Sequence, residues 1–368
     1  MNTRRHINLM LLFFVMVLAS STANAQTSEN SDNNGLYVVR VHEKEGYIDA
    51  YGKIVIKPQF DYAGNFDDGL AIVGIGDKHG FIDKNGKLVI NPQFDYAEEF
   101  KDGLALVRIG DKYGFIDKTG KFVINPQFDN ARYFSEGLAP VQIGDWKDGK
   151  WGFIDKNGET VIRTQFDDAS GFHDGLAWIR YGNVVDGKYG FIDKTGKLVI
   201  DAQFDEVKDF SEGLAAVRIG DIEYGKWGFI DKTGKFIINP KFCQVWPFSE
   251  GLAVVGIGNK TPSDMELRCE KSGIIEKSGQ YIISPQYYNI ESFSEGLAAV
   301  ETEGGWGFID KTGIIVIEPQ FDWAYRFYGD LAPVRLGGFS GKFGYINKKG
   351  NIVWYSDEEP WWVTEMFL

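Results

Sequence analysis

The sequence predicts an all-β protein, a tandem array of nine three-stranded antiparallel meanders, with an open superhelical stack favoured over a closed propeller. Three observations carry that reading: a Gly-Phe-Ile-Asp-Lys element that recurs along the chain, a second landmark at a fixed distance from it, and strand-type patterning between the turns. The composition agrees. In 368 residues there are 45 Gly against 11 Pro, 43% apolar and 15% aromatic side chains, a turn-rich and ordered profile. A net charge of -13 would repel a phosphate backbone and excludes a dedicated nucleic-acid binder.

The first element begins at Gly46, Gly80, Gly114, Gly152, Gly190, Gly228, Gly273, Gly307 and Gly344. The second, Gly-Leu-Ala, begins at Gly69, Gly103, Gly137, Gly175, Gly213, Gly251 and Gly296, with Asp330-Leu331-Ala332 as an altered copy. From each of the first eight starts to its landmark the offset is 23 residues, whereas the return offset runs from 11 to 22. All length variation therefore falls in one connection, which places the insertions on one edge of the assembly. Leu104 to Ile109, Tyr113 to Asp117 and Lys121 to Ile124 are short, rich in β-branched and aromatic residues, and bounded by Gly-Asp and Lys-Thr-Gly turn signals. They read as the three strands of one meander. The remainder, Asn125 to Gly137, reads as an ordered connection that docks Phe128 and Phe134 between neighbouring units. Nine whole units fit from Gly35 to Trp354 with none split between the termini, so closure by strand sharing is not needed and the ends call for caps.

The domain reading follows. Residues 1–25 are expected to be a signal peptide, with Arg4 and Arg5 before an apolar run from Ile7 to Ala19 and a small-x-small site at Ala23-Asn24-Ala25. Residues 26–34 read as a flexible polar linker, 35–356 as the repeat array and 357–368 as a C-terminal aromatic cap. The chain is thus expected to be exported, periplasmic or extracellular, with no membrane span after cleavage. Cys243 and Cys269, 26 residues apart and flanking the longest insertion, suit a disulfide in an oxidising compartment.

The aromatic-Gly-Phe-Ile-Asp-Lys-x-Gly element, seen as Trp151-Gly152-Phe153, Trp227-Gly228-Phe229 and Trp306-Gly307-Phe308, resembles the WG-repeat family, also called KWG repeats. The resemblance spans roughly Gly35 to Tyr355. Some copies depart from it, with Tyr113, Tyr189 or Phe343 as the aromatic, and His79, Ser272 or Glu45 in its place. The resemblance implies a bacterial interaction or binding module without a shared catalytic residue.

The side chains agree with that implication. His42, His79 and His173 fall at different places in their units, no hydrolase or phosphate-loop motif occurs, and neither cofactor nor metal is expected. The recurring Asp83, Asp117, Asp155, Asp193, Asp231 and Asp310 each open an Asp-Lys-x-Gly turn, which is turn chemistry rather than a calcium loop. In the strand after the landmark one register is nearly constant and the other varies, and five of the nine Arg beyond residue 25 share one variable place: Arg40, Arg108, Arg180, Arg218 and Arg335. Two readings stay open. Each Arg stacks on an aromatic and pairs with a neighbouring acid, or the row presents planar cations to an anionic partner. Trp146 and Trp178, outside the repeated element, are the candidates for exposed contacts. The expected function is a non-enzymatic interaction protein that contacts another envelope protein. The alternative is a carbohydrate-binding module using its aromatics on a surface glycan, followed by a repeat-based hydrolase or lyase.

Overall fold

A computed structural model describes residues 35–145, 147–258, 261–262, 267–338, 341–356 and 358. The expected signal peptide and linker, Trp146 and all of the expected cap except Glu358 lie outside the described residues.

The third unit shows how each repeat is made. Its strands are Tyr96–Lys101, Leu104–Ile109, Lys112–Ile116 and Phe122–Phe128, hydrogen-bonded in chain order and antiparallel. In the third strand Phe115 and Ile116 point to opposite faces, as the two-residue period of a strand requires, and each is buried against a different neighbouring unit. The fourth strand is the outer one: its Val89 and Val161 counterparts are 42% and 45% exposed. It bulges where Phe115 pairs with Ile124 while Tyr113 pairs with Phe128. The bulge explains the glycine of the repeated element, because a Cβ on Gly114 would lie 2.6 Å from Ile124 O and 2.6 Å from Pro126 N. The proline on that outer strand also leaves its edge unable to template another strand. The Asp-Lys-x-Gly turn is closed by Asp117, whose Oδ1 accepts from the backbone N–H of Thr119 at 2.9 Å and of Lys121 at 3.1 Å.

Two expectations are corrected. The units are four-stranded blades, not three-stranded meanders, since the connection after the outer strand pairs back onto the next blade as its innermost strand. In the fourth blade that strand is only Asn130–Ala131, with Ala131 opposite Val141. Two residues beside an Asp carry no alternation to read, so their pairing is set by tertiary structure. Phe134 does dock between blades as expected, with its ring 4.7 Å from Phe115. Only the first blade has three strands among the described residues: Leu36–Val41, Lys44–Asp49 and Ile54–Phe60.

The second correction is the architecture. The blades form a closed ring, a nine-bladed β-propeller, and not an open superhelical stack. Eight apolar clusters join successive blades, and a ninth joins Tyr37, Val39 and Ile48 of the first blade to Leu331, Phe343 and Tyr345 of the last. At this seam Tyr37 and Tyr345 lie 5.7 Å apart, Tyr345 OH donates to Val38 O at 2.9 Å, and Tyr37 OH accepts from Asp330 N at 2.9 Å. Ser356 donates to Arg40 O, and Glu358 accepts from the N–H groups of His42 and Glu43. Tyr37 occupies the place of the landmark alanine, Ala71 or Ala105 in other blades. Its ring takes the role that the inner Phe plays elsewhere, as in the Phe308–Phe327 pair at 5.0 Å. Closure buries both end faces against each other, which removes the need for caps.

Both rims are clasped. On one, the acid before each landmark glycine adopts positive φ, as at Glu136 (51°) and Glu212 (52°). Its carboxylate accepts the next blade's glycine N–H, Asp174 from Gly213 at 2.6 Å, and the lysine of the next Asp-Lys turn joins it, as Lys194 joins Glu136 at 3.0 Å. On the other rim Asp129 bridges Lys112 of the third blade, at 2.6 Å, to Gly144 N of the fourth, at 2.9 Å. All the variable hairpins rise from this second rim, so the insertions share one edge of the ring.

Candidate functional site

The strand pairing that recurs from blade to blade places the arginine row between blades. Arg218 is 6% exposed; its Nε and Nη2 each lie 2.9 Å from Glu206, its Nη1 donates to Gly220 O at 2.7 Å, and its guanidinium lies 6.0 Å from the Trp227 ring. Arg180 is equally buried, 3.6 Å from Asp168 and 6.0 Å from the Tyr189 ring. Arg108, Arg40 and Arg335 are half-buried, and Arg108 donates to Gly110 O and lies 6.0 Å from Tyr113. The paired acids come from the innermost strand, not from the Asp-Lys turn. Arg218→Ala leaves Glu206 without its partner and a void beside Trp227. It is expected to cost about 1 to 3 kcal/mol, read as a lower melting temperature.

The aromatic ladder is packed in the same layer. Trp151, Trp227 and Trp306 are buried. Trp178 is half-buried against Tyr189, with ring centroids 5.4 Å apart, and shares the Arg132 guanidinium with Trp151, at 5.5 and 4.7 Å.

The seventh blade shows what that slot is for. Gly256 and Ser272 face each other where the sixth blade carries Arg218 and Trp227, and the Cys243–Cys269 disulfide fills the space. A Cβ on Gly256 would lie 2.5 Å from Cys269 Sγ. The loss of both bulky residues from the copy that contains Cys243 was the available sequence signal for this exchange.

Sequence reasoning missed a second set of residues, the two between the apolar residue of the innermost strand and the Phe that follows, which lie within that strand in the third blade and just beyond its two-residue form in later blades. These pairs vary freely: Glu98-Glu99, Arg132-Tyr133, Lys208-Asp209, Glu291-Ser292 and Tyr325-Arg326. They vary inside an otherwise repeated frame, which is the signal that could have found them. Burial pushes the Glu98 and Glu291 carboxyls up to about 7; Glu98 is raised further by Glu99 and opposed by Tyr96, Arg132 and Lys101, and Glu291 is opposed by Arg326. Tyr96 OH donates to Glu98 Oε1 at 2.9 Å, and Oε2 is buried without a hydrogen-bond partner among the described residues. These carboxyls take up protons in the folded state below about pH 7, but in the unfolded chain only near 4.5. The folded state binds more protons in between, so stability falls as pH rises through that window. We expect the melting temperature to drop between pH 5 and pH 8, and Glu98→Gln to reduce the drop while adding roughly 1 to 2 kcal/mol at pH 8.

Comparison with known proteins fits this frame. A family model described as "WG containing repeat" matches eight times, at residues 46–78, 80–113, 113–145, 151–184, 189–221, 227–260, 273–306 and 306–338. A search of curated proteins finds no match. Among solved structures, one titled as a eukaryotic initiation factor aligns with 88% of this chain and 96% of its own at 11% identity and a TM-score of 0.62, a likeness of fold alone. Hsv2p of Kluyveromyces lactis aligns with 69% of this chain and 93% of its own at 12% identity and a TM-score of 0.40. The tricorn protease aligns with 88% of this chain and 43% of its own at 13% identity and a TM-score of 0.37.

Proposed function

The chain belongs to the family of WG containing repeats, and on that premise we propose that it is an exported, non-enzymatic interaction protein whose ring presents its surface to another envelope protein. One observation carries the reading: the recurring polar residues are engaged in building the ring. The turn aspartates cap their own turns, the acids before the landmark glycines and the turn lysines clasp one rim, and the hairpin lysines with their aspartates clasp the other. What differs from blade to blade is left to the inner wall and the hairpin tips, the places where a scaffold meets a partner. Export is supported by the signal-like composition of residues 1–25. No helix of the described residues is long and apolar enough to cross a membrane.

The test is capture. The mature ring, immobilised and exposed to envelope extract, is expected to retain a defined protein identified by mass spectrometry, and the exported form is expected to begin at Gln26 by N-terminal sequencing. A protein that starts at Met1 in the cytosol, or turnover of a substrate from a broad panel, overturns the proposal.

A further inference from the structure

Three consecutive blades carry hairpin tips of one construction: Asp145 to Gly149, Asn183 to Gly187 and Asp221 to Gly225. In each, the first side chain caps the loop. Asp145 Oδ1 accepts from Lys147 N at 3.0 Å and Asp148 N at 2.8 Å, Asn183 from Val185 N at 2.7 Å and Asp186 N at 3.2 Å, and Asp221 from Glu223 N at 3.0 Å and Tyr224 N at 2.6 Å. The backbone carbonyl of the same residue accepts from the closing glycine at 2.8, 2.9 and 2.9 Å. Such loops are preorganised, so a partner would not have to order them.

What they present is unlike the other described hairpin tips. Val184, Val185, Ile222 and Tyr224 are 58%, 91%, 63% and 73% exposed, and Ile143 at the root of the first hairpin is 57% exposed. The tips stand side by side. Asp167 joins Lys150 of the fourth blade to Gly182 N of the fifth, and Asp205 joins Lys188 of the fifth to Gly220 N of the sixth. Those same ion pairs neutralise Lys150 and Lys188 at the roots of the first two hairpins, while Lys226 at the root of the third donates to Gly258 O at 3.4 Å. Between the apolar side chains the tips carry Asp145, Asp148, Asp186, Asp221 and Glu223 against Lys147. Asp148 and Asp186 are exposed and make no ion pair among the described residues.

We propose that the tips of the fourth, fifth and sixth blades form one docking ridge for a basic, amphipathic segment of another protein. The proposal rests on the interaction reading above and names the surface and the chemistry of its partner. The apolar side chains supply the buried area, and the unpaired carboxylates select a cationic segment. A second copy of this chain would set acid against acid across a two-fold contact, and an anionic lipid surface would be repelled.

The test uses the mature ring and a fluorescent synthetic peptide alternating leucine and lysine, with a leucine and glutamate peptide of the same length as its twin. Anisotropy is expected to show binding of the lysine peptide that weakens in high salt, with no binding of the twin. Val185→Ser with Tyr224→Ser, and separately Asp148→Asn with Asp186→Asn, should each weaken it about tenfold or more while the melting temperature holds, an effect of the size set by about 1.4 kcal/mol. Tyr51→Ser, at a 90% exposed residue on the opposite rim, should change nothing. Equal binding of both peptides, or unchanged binding by either double variant, overturns the proposal. So does a dimer in sedimentation that Val185→Ser with Tyr224→Ser dissociates. Because the peptide reads only the ridge, partner capture by a ring carrying Val185→Ser and Tyr224→Ser at the wild-type level would refute the ridge and leave the interaction reading standing.

Discussion

Gly190→Ala is expected to destabilise the ring by roughly 3 kcal/mol, through crowding alone. Gly190 has no positive φ, so conformational freedom is not what the position needs. A Cβ there would lie 2.5 Å from Ile200 O and 2.7 Å from Ala202 N, both backbone atoms of the bulged outer strand that cannot swing aside. Relief requires the bulge to straighten, and that moves the outer strand off the Tyr189 and Phe191 pairing positions. Thermal unfolding measures the effect, with Gly304→Ala as the control, since its nearest neighbours would be 3.6 Å away. If both variants melt with the wild type, the glycine of the repeated element has some other cause.

Tyr345→Ala should cost about 3 to 5 kcal/mol, the range for emptying a buried aromatic site. It removes the ring contact with Tyr37 and the hydrogen bond to Val38 O, and so loosens the seam where the first and last blades meet. Tyr345→Phe keeps the ring and should cost only about 1 kcal/mol, because it leaves the buried Val38 carbonyl without its donor. The decisive measurement is a double-mutant cycle with Tyr37→Ala. Two residues so far apart in sequence are expected to couple by roughly 0.5 to 1.5 kcal/mol, as ring pairs in contact do. An additive pair would mean that the ends do not touch, and the ring would give way to an open array. Small-angle scattering on Tyr345→Ala adds a second view, with a larger radius of gyration expected if the seam opens.

The arginine row shows how a sequence pattern can be read correctly and still leave its purpose open. Strand alternation puts Arg108 on the face it shares with Tyr113, and the cross-strand pair agrees. Parity is silent on depth: Arg180 and Arg218 are covered because an acid from the innermost strand, Asp168 or Glu206, meets them from a segment that has no strand pattern of its own. The inner wall escaped notice for a related reason. Glu98, Lys208 and Glu291 look like solvated loop residues until the ring folds them toward its centre.

By itself the sequence determined the repeat length, the three outer strands of each blade, the turn roles of Asp117 and its counterparts, and the placing of all insertions on one rim. These are local properties, set by side-chain periodicity, turn chemistry and spacing within some forty residues or fewer. Tertiary structure alone decided the innermost strand, the depth of the arginines and the closure of the ring. Closure is the sum of eight small rotations between blades, and no single repeat encodes that sum. Its one trace in the sequence is Tyr37, a large ring where each of the next eight copies of the landmark carries alanine, placed to meet Tyr345 only once the two ends have come together.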